Sequence, residues 1–146
     1  DGWVGYRKTK GNITFDTSVA MYGYTNDPVP YEMFEGKIAF TEVYGKFAFT
    51  ETFAYSPEYF NFANQSVWGE INVAYNITKS LSVSTALCYQ HLQDGGIYGS
   101  YACWNVGLNY KLCSHSTIDV RFYDNNDHGQ GEAWNSTVAV VLRTTF

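Results

Sequence analysis

The chain has 146 residues and a net charge of −5, with 18% aromatic and only 16% charged residues. The size fits one domain over residues 1–146, and the acidic balance excludes nucleic acid as a partner, since little is present to neutralise phosphates. No segment approaches the roughly 18 apolar residues of a membrane-crossing helix, and a chain this rich in rings and poor in charge implies surface that faces something other than water, charged residues normally reaching about 25%.

Taken in chain order, the predicted elements are all strands. Residues 3–8 alternate loosely. In 13–24, Ile13, Phe15, Thr17, Val19 and Met21 alternate with Thr14, Asp16, Ser18 and Ala20, the period of two that sorts side chains onto the two faces of a strand. Segments 31–42 and 46–55 follow less cleanly. In 67–78, Val67, Ile71, Val73, Tyr75 and Ile77 oppose Trp68, Glu70, Asn72, Ala74 and Asn76. In 81–90, Leu81, Val83, Leu87 and Tyr89 oppose Ser82, Ser84, Ala86 and Gln90. In 102–112, Ala102, Trp104, Val106, Leu108, Tyr110 and Leu112 oppose Asn105, Gly107, Asn109 and Lys111. Residues 116–123 form another segment, and the last sets Val138, Val140, Leu142 and Phe146 against Thr137, Ala139, Arg143 and Thr145. This makes about nine strands, close to the roughly 9–11 residues each that a tilted strand needs to cross a bilayer. Pro28, Pro30 and Pro57 fall between strands, where a missing N–H breaks no ladder.

The connections alternate in length. Those at 8–12, 43–45, 78–80 and 113–115 are tight; those at 25–30, 56–66, 93–100 and 124–135 are long. In an up-and-down barrel successive turns lie at opposite ends, so every short turn occupies one rim and every long loop the other, the arrangement of outer-membrane barrels. Lys8, Lys10, Lys46, Lys79 and Lys111 gather at the short-turn rim, and Asp27, Glu58, Asp94, Asp124, Asp127 and Glu132 at the long-loop end. The expected fold is therefore all-β, an antiparallel up-and-down transmembrane β-barrel of the bacterial outer membrane. Single-chain bacterial barrels have even strand numbers. Nine strands then imply one of two things. Either an odd number of N-terminal strands is missing from this sequence, or residues 1–11 are not a strand and eight strands close alone.

The run Ala54-Tyr55-Ser56-Pro57-Glu58-Tyr59-Phe60, the segment Trp104-Asn105-Val106-Gly107-Leu108, the Phe122-Tyr123-Asp124 closing the next strand, and the ending from Asn135 to Phe146 resemble the TorF-like porin family of proteobacterial outer-membrane barrels. The resemblance covers residues 1–146 as the C-terminal part of that family's pattern. Members begin with an Asp-Tyr-x-x-Arg-Gly segment lying about three strands further upstream, which implies a complete barrel of about 12 strands, an even number as parity requires. It further implies a passive channel, with no catalytic residues to carry over. The terminal Phe146, preceded by apolar Leu142, Val140 and Val138, fits the ending by which such barrels are inserted, although Thr144 stands where an aromatic residue is usual.

If the apolar faces meet lipid, the polar faces turn inward. The residues expected to line the interior are Asp16, Glu35, Lys37, Glu70, Asn72, Asn105, Asn109, Asp119, Arg121 and Arg143. Their mixed signs suit either a salt-bridged network or a charged constriction that selects small polar solutes. Asp119 and Arg121 share a face, and Arg143 is expected near them. The expected lipid contacts are Phe15, Val19, Ile38, Phe40, Phe49, Val73, Val83, Leu108, Val120 and Val140. Glu51 conflicts with this scheme, because it shares parity with Phe47, Phe49, Phe53 and Tyr55; a β-bulge beside it is expected to turn it inward. Cys88 and Cys103 fall opposite or diagonal on adjacent strands, as a cross-strand disulfide or as two thiols, and Cys113 is expected free.

Two other readings use the same residues. A soluble lipocalin-like ligand barrel would carry the alternation inverted, apolar inward. A lipid hydrolase would rest on His115-Ser116 and His128, but adjacent strand residues point to opposite faces, so the chain is not expected to be an enzyme. No metal-ligand spacing, phosphate cradle or cofactor motif is present.

Overall fold

The computed structural model describes residues 1–24, 31–60, 63–95 and 99–145. Nine strands run in sequence order as one antiparallel sheet: β1 (Gly2–Lys10), β2 (Ile13–Tyr24), β3 (Tyr31–Tyr44), β4 (Phe47–Ser56), β5 (Ser66–Asn76), β6 (Leu81–Leu92), β7 (Tyr101–Lys111), β8 (Ser116–Asn125) and β9 (Thr137–Thr144). Each strand pairs only with its chain neighbours, and the sheet is open, with β1 and β9 as its edges. Residues 2–10 are a full strand, paired with β2 along their whole length. The arrangement in which residues 1–11 stay outside the sheet and eight strands close alone is therefore corrected.

Two of the short connections are two-residue turns, at 11–12 and 45–46, each led by a glycine with positive φ (Gly11 62°, Gly45 59°). A glycine in the first central position suits the tight hairpin turn whose twist matches the strands it joins. The other two short turns span 77–80 and 112–115, and all four lie at one end of the sheet. The longer connections β2–β3, β4–β5, β6–β7 and β8–β9 lie at the other. Asp27, Pro28, Pro30 and Phe146 lie outside the described residues.

The continuous registers sort every strand residue onto one of two faces. One face carries Phe15, Val19, Ile38, Phe40, Phe49, Val73, Val83, Leu108, Val120 and Val140. The other carries mostly small and polar side chains, with Trp3, Trp68, Tyr101 and Tyr123 among them. Exposure is the reverse of a water-soluble sheet. Along β4, Phe47, Phe49, Phe53 and Tyr55 are exposed while Ala48, Thr50, Thr52, Ala54 and Ser56 between them are half-buried or buried. On β6, Leu87 is 68% exposed and its neighbour Ala86 1%. Among the described residues each strand pairs only with its chain neighbours, so the shielding of these small residues fits a sheet that curls around them. Small side chains suit that inner side, where Cβ directions converge.

The described residues consequently form almost no hydrophobic core. Among the described residues, the buried hydrophobics are Met33, Ala54, Ala63, Ala86 and Leu92. Its accessible surface is 9908 Å², whereas a compact globule of this mass exposes about 7,500 Å². An open curved wall accounts for the excess of nearly a third.

Glu51 corrects one expectation. Its strand has no bulge: the β3–β4 and β4–β5 registers run unbroken, and Glu51 stands on the apolar face between Phe40 and Ile71. An uninterrupted ladder keeps the parity of every residue fixed, so the carboxylate cannot turn inward. If this face meets lipid, Glu51→Leu should stabilise the folded state by about 1 kcal/mol in bilayers, since acidic residues at the midplane cost less than the ~2–4 kcal/mol of basic ones. Urea titrations of vesicle-reconstituted protein would measure it. Thr17 and Thr85, also on this face, donate their hydroxyls across the strands to the Lys37 and Asn105 carbonyls, at 3.0 and 2.8 Å, which satisfies the polar atom without water.

Candidate functional site

All ten residues expected to line the interior share the polar face. The registers place Asp16 on β2, Glu35 and Lys37 on β3, Glu70 and Asn72 on β5, Asn105 and Asn109 on β7, Asp119 and Arg121 on β8 and Arg143 on β9 at like parity. They do not form a single cluster.

The densest group surrounds Arg121. Its guanidinium grips Asp119 with two parallel bonds, Nε to Oδ1 and Nη2 to Oδ2, both 3.1 Å. Nη1 donates to Asn105 Oδ1 at 2.6 Å, and Nη2 reaches Ser84 Oγ at 2.8 Å. Such forked, charge-assisted bonds are among the strongest available to side chains. Ser84 lies on β6, two strands away, so the arginine must lie flat across β7. Gly107 permits this. It stands directly between Ser84 and Arg121 in register, and a Cβ there would come within 2.9 Å of the Arg121 Cζ. Gly107→Ala should therefore displace the guanidinium, break the Ser84 bond and cost about 1–3 kcal/mol as an overpacked site. Thermal or urea denaturation reads that loss, and Ser84→Ala in the Gly107→Ala background should then cost almost nothing more.

Glu70 faces this group within electrostatic reach of Arg121, and Glu35 stands in the same relation to Lys37. A second ion pair, Arg7 Nε to Asp16 Oδ2 at 2.6 Å, joins β1 to β2. Arg7 was missed as a site residue because only the register shows that it faces Asp16. Beside it runs a line of hydroxyls, Thr9 with Thr14 and Thr41 with Thr50, each pair 2.9 Å apart. Asn72 lies between Thr50 and Ala86 in register, and Asn109 between Ser82 and Asp119. Arg143 does not join the Arg121 group: it pairs with Thr117, while Ala139 is the β9 residue opposite Arg121. The strands here are paired without offset, which leaves Arg143 near the short-turn rim.

Cys88 and Cys103 lie directly opposite, with Cα atoms 5.0 Å apart, and are joined by a disulfide. Cys113 is an exposed free thiol in the 112–115 turn. Hydrogen bonds from the His115 backbone first, and from the Ser116 side chain next, hold that thiol below its ordinary range. The thiolate is the reactive form. Cys113 should thus alkylate faster at neutral pH than a free thiol, whose pKa is about 8.5, and lose reactivity only as pH falls through its lowered value. Ser116→Ala should shift the rate-versus-pH midpoint upward, measurable with iodoacetamide.

His115 Nδ1 bonds Ser114 Oγ at 2.7 Å, and Ser116 Oγ instead faces Thr144 Oγ1 at 3.2 Å. The two side chains thus take separate partners, as the sequence predicts for adjacent residues. His128 sits at the long-loop end, Nε2 3.4 Å from Asp124 Oδ1. Among the described residues no group of His, Cys, Asp or Glu is placed to hold a metal ion, and no helix is long and apolar enough to cross a membrane.

Rings mark both ends of the apolar face. Tyr44, Phe47, Tyr75 and Tyr110 lie toward the short turns and Tyr55, Tyr89 and Trp104 toward the long loops. A family profile described as "Bacterial protein of unknown function (Gcw_chp)" matches residues 1–145. The chain belongs to that bacterial family. Searches of curated proteins and of solved structures return no match. Gcw_chp membership adds a bacterial origin to the geometry and assigns no activity, so the functional reading rests on the two faces of the sheet.

Proposed function

We propose that this Gcw_chp chain is part of the wall of a bacterial outer-membrane β-barrel, with its apolar face toward lipid and its polar face lining a passive path for small polar solutes. The observation that carries the reading is the inverted exposure: large apolar side chains such as Leu87, Ile71 and Phe53 stand 54–68% exposed on one face, while small residues and the Arg121–Asp119 and Arg7–Asp16 pairs occupy the other. A soluble ligand barrel needs the opposite arrangement. The aromatic residues near both strand ends support the reading as interfacial girdles, and so do the five of six lysines that sit at the short-turn rim. The resemblance to TorF-like porins points the same way.

In lipid an unpaired strand edge leaves backbone groups without partners, which hydrocarbon does not tolerate. The β1 and β9 edges therefore need closing. Because alternate strands reverse direction, β1 and β9 run the same way, and purely antiparallel closure takes an odd number of further strands. Three more make a barrel of about 12, wide enough to leave open lumen where about eight strands would be filled by side chains. Arg121, Asp119, Asn105 and Glu70 then form a mixed-charge patch on the wall of the path.

Brominated-lipid quenching tests the orientation. In single-tryptophan variants reconstituted in vesicles, Trp104 on the outer face should be quenched strongly and Trp68 on the inner face weakly. Equal or reversed quenching removes the membrane reading. Channel activity is tested separately in planar bilayers, where no conductance above the lipid background would rule out a path for ions.

A further inference from the structure

At the long-loop end of the polar face, β5, β7 and β8 enclose a cleft of about 520 Å³. It is lined by Trp68, Tyr101, Tyr123 and Trp134 together with the Glu70 carboxylate, while Asp124 at its border pairs with Trp104 and belongs to the apolar face. The rim is built in advance. Trp134 comes from the β8–β9 connection, is held through its carbonyl by Asn125 Nδ2 at 2.9 Å, and sets its ring edge-on to Tyr101 with centroids 4.8 Å apart. Asn126 clamps the same connection to Ala102 through a backbone bond and a side-chain bond, 3.0 and 2.8 Å.

The electrostatics of the cleft are one-sided. No lysine or arginine is among the described residues that line it. The nearest guanidinium, Arg121, spends its donors on Asp119, Asn105 and Ser84, so Glu70 receives only its longer-range field. Aromatic faces attract cations through the ring quadrupole, worth up to about 2 kcal/mol when desolvated, and low-dielectric walls of one charge sign concentrate the opposite ion.

We infer that this cleft is a binding site for a small organic cation, a quaternary or protonated amine of about the size of choline. Rings supply the box and Glu70 supplies the counter-charge. The inference does not depend on a membrane, because the cleft is formed by one chain whichever medium meets the outer face.

The test is tryptophan fluorescence of the purified full chain, titrated with choline chloride, with maltose, and with sodium chloride at matched ionic strength. Choline is expected to give a saturable change that neither maltose nor sodium chloride produces. Glu70→Gln should weaken the choline midpoint about tenfold, a factor equal to about 1.4 kcal/mol. Trp134→Leu should weaken it comparably, and because Trp134 lies outside the strands this variant keeps the sheet intact, as circular dichroism would verify. A saturable response to maltose instead would assign the cleft to neutral sugars and overturn the inference. So would a choline response matched by sodium chloride, or one unchanged in both variants. Failure here leaves the lipid-quenching result untouched, and the reverse also holds.

Discussion

Val106→Arg is expected to destabilise the folded chain in lipid by about 2–4 kcal/mol, the cost of a basic residue at the midplane of a barrel's outer face. Val106 is the central residue of β7, 40% exposed on the apolar side, between Thr85 and Phe122 in register. A water-facing position of that exposure would accept arginine within about 0.5 kcal/mol, so the magnitude itself separates the two media. Asn72→Arg provides the control, being near the middle of β5 but on the polar face. There a cation meets the hydrophilic interior, and the expected change stays below about 1 kcal/mol. Urea titration of reversible folding into vesicles reads both. Equal small effects would show that the outer face meets water.

Arg121→Ala should cost about 3 kcal/mol. Its guanidinium and the Asp119 carboxylate are only 14% and 23% exposed, and removing one partner of a largely desolvated pair leaves the other uncompensated, a loss of about 3–5 kcal/mol when burial is complete. Partial water access to Asp119 puts the expectation at the lower end. The double variant Asp119→Ala/Arg121→Ala should be less destabilised than the sum of the single ones, by about 1–3 kcal/mol, because the two side chains share a bidentate contact. Additive losses would mean that the pair contributes through packing alone.

The strands were legible from period two, because a residue on one face of a pleated ladder meets a different medium from its neighbour. The long and short connections were legible from the gaps between alternating segments, with Pro57 among the prolines that fall between strands. Register was not. Alternation says that Arg7 and Asp16 occupy parity classes of their own strands, but not that they stand opposite each other. The same gap hid Ser84 and Gly107, whose importance appears only when an arginine two strands away lies across them. Glu51 misled for a different reason. The cost of one carboxylate is small beside that of breaking a ladder over all of β4, so the strand keeps its pairing and tolerates the charge. The aromatic cleft was the least visible, since Trp134 reaches Tyr101 from a connection whose path no periodicity encodes.

The Cys88–Cys103 bond has a consequence for assembly. Sulfur joined to sulfur stops β6 and β7 from sliding past each other, and a slide of one residue is what would swing Leu87 and Val106 round to the opposite side. Under the proposed reading the thiols would be oxidised in the periplasm, a compartment that permits such bonds, ahead of bilayer entry. One hairpin would then arrive already aligned, a ready-made seed along which later neighbours zip.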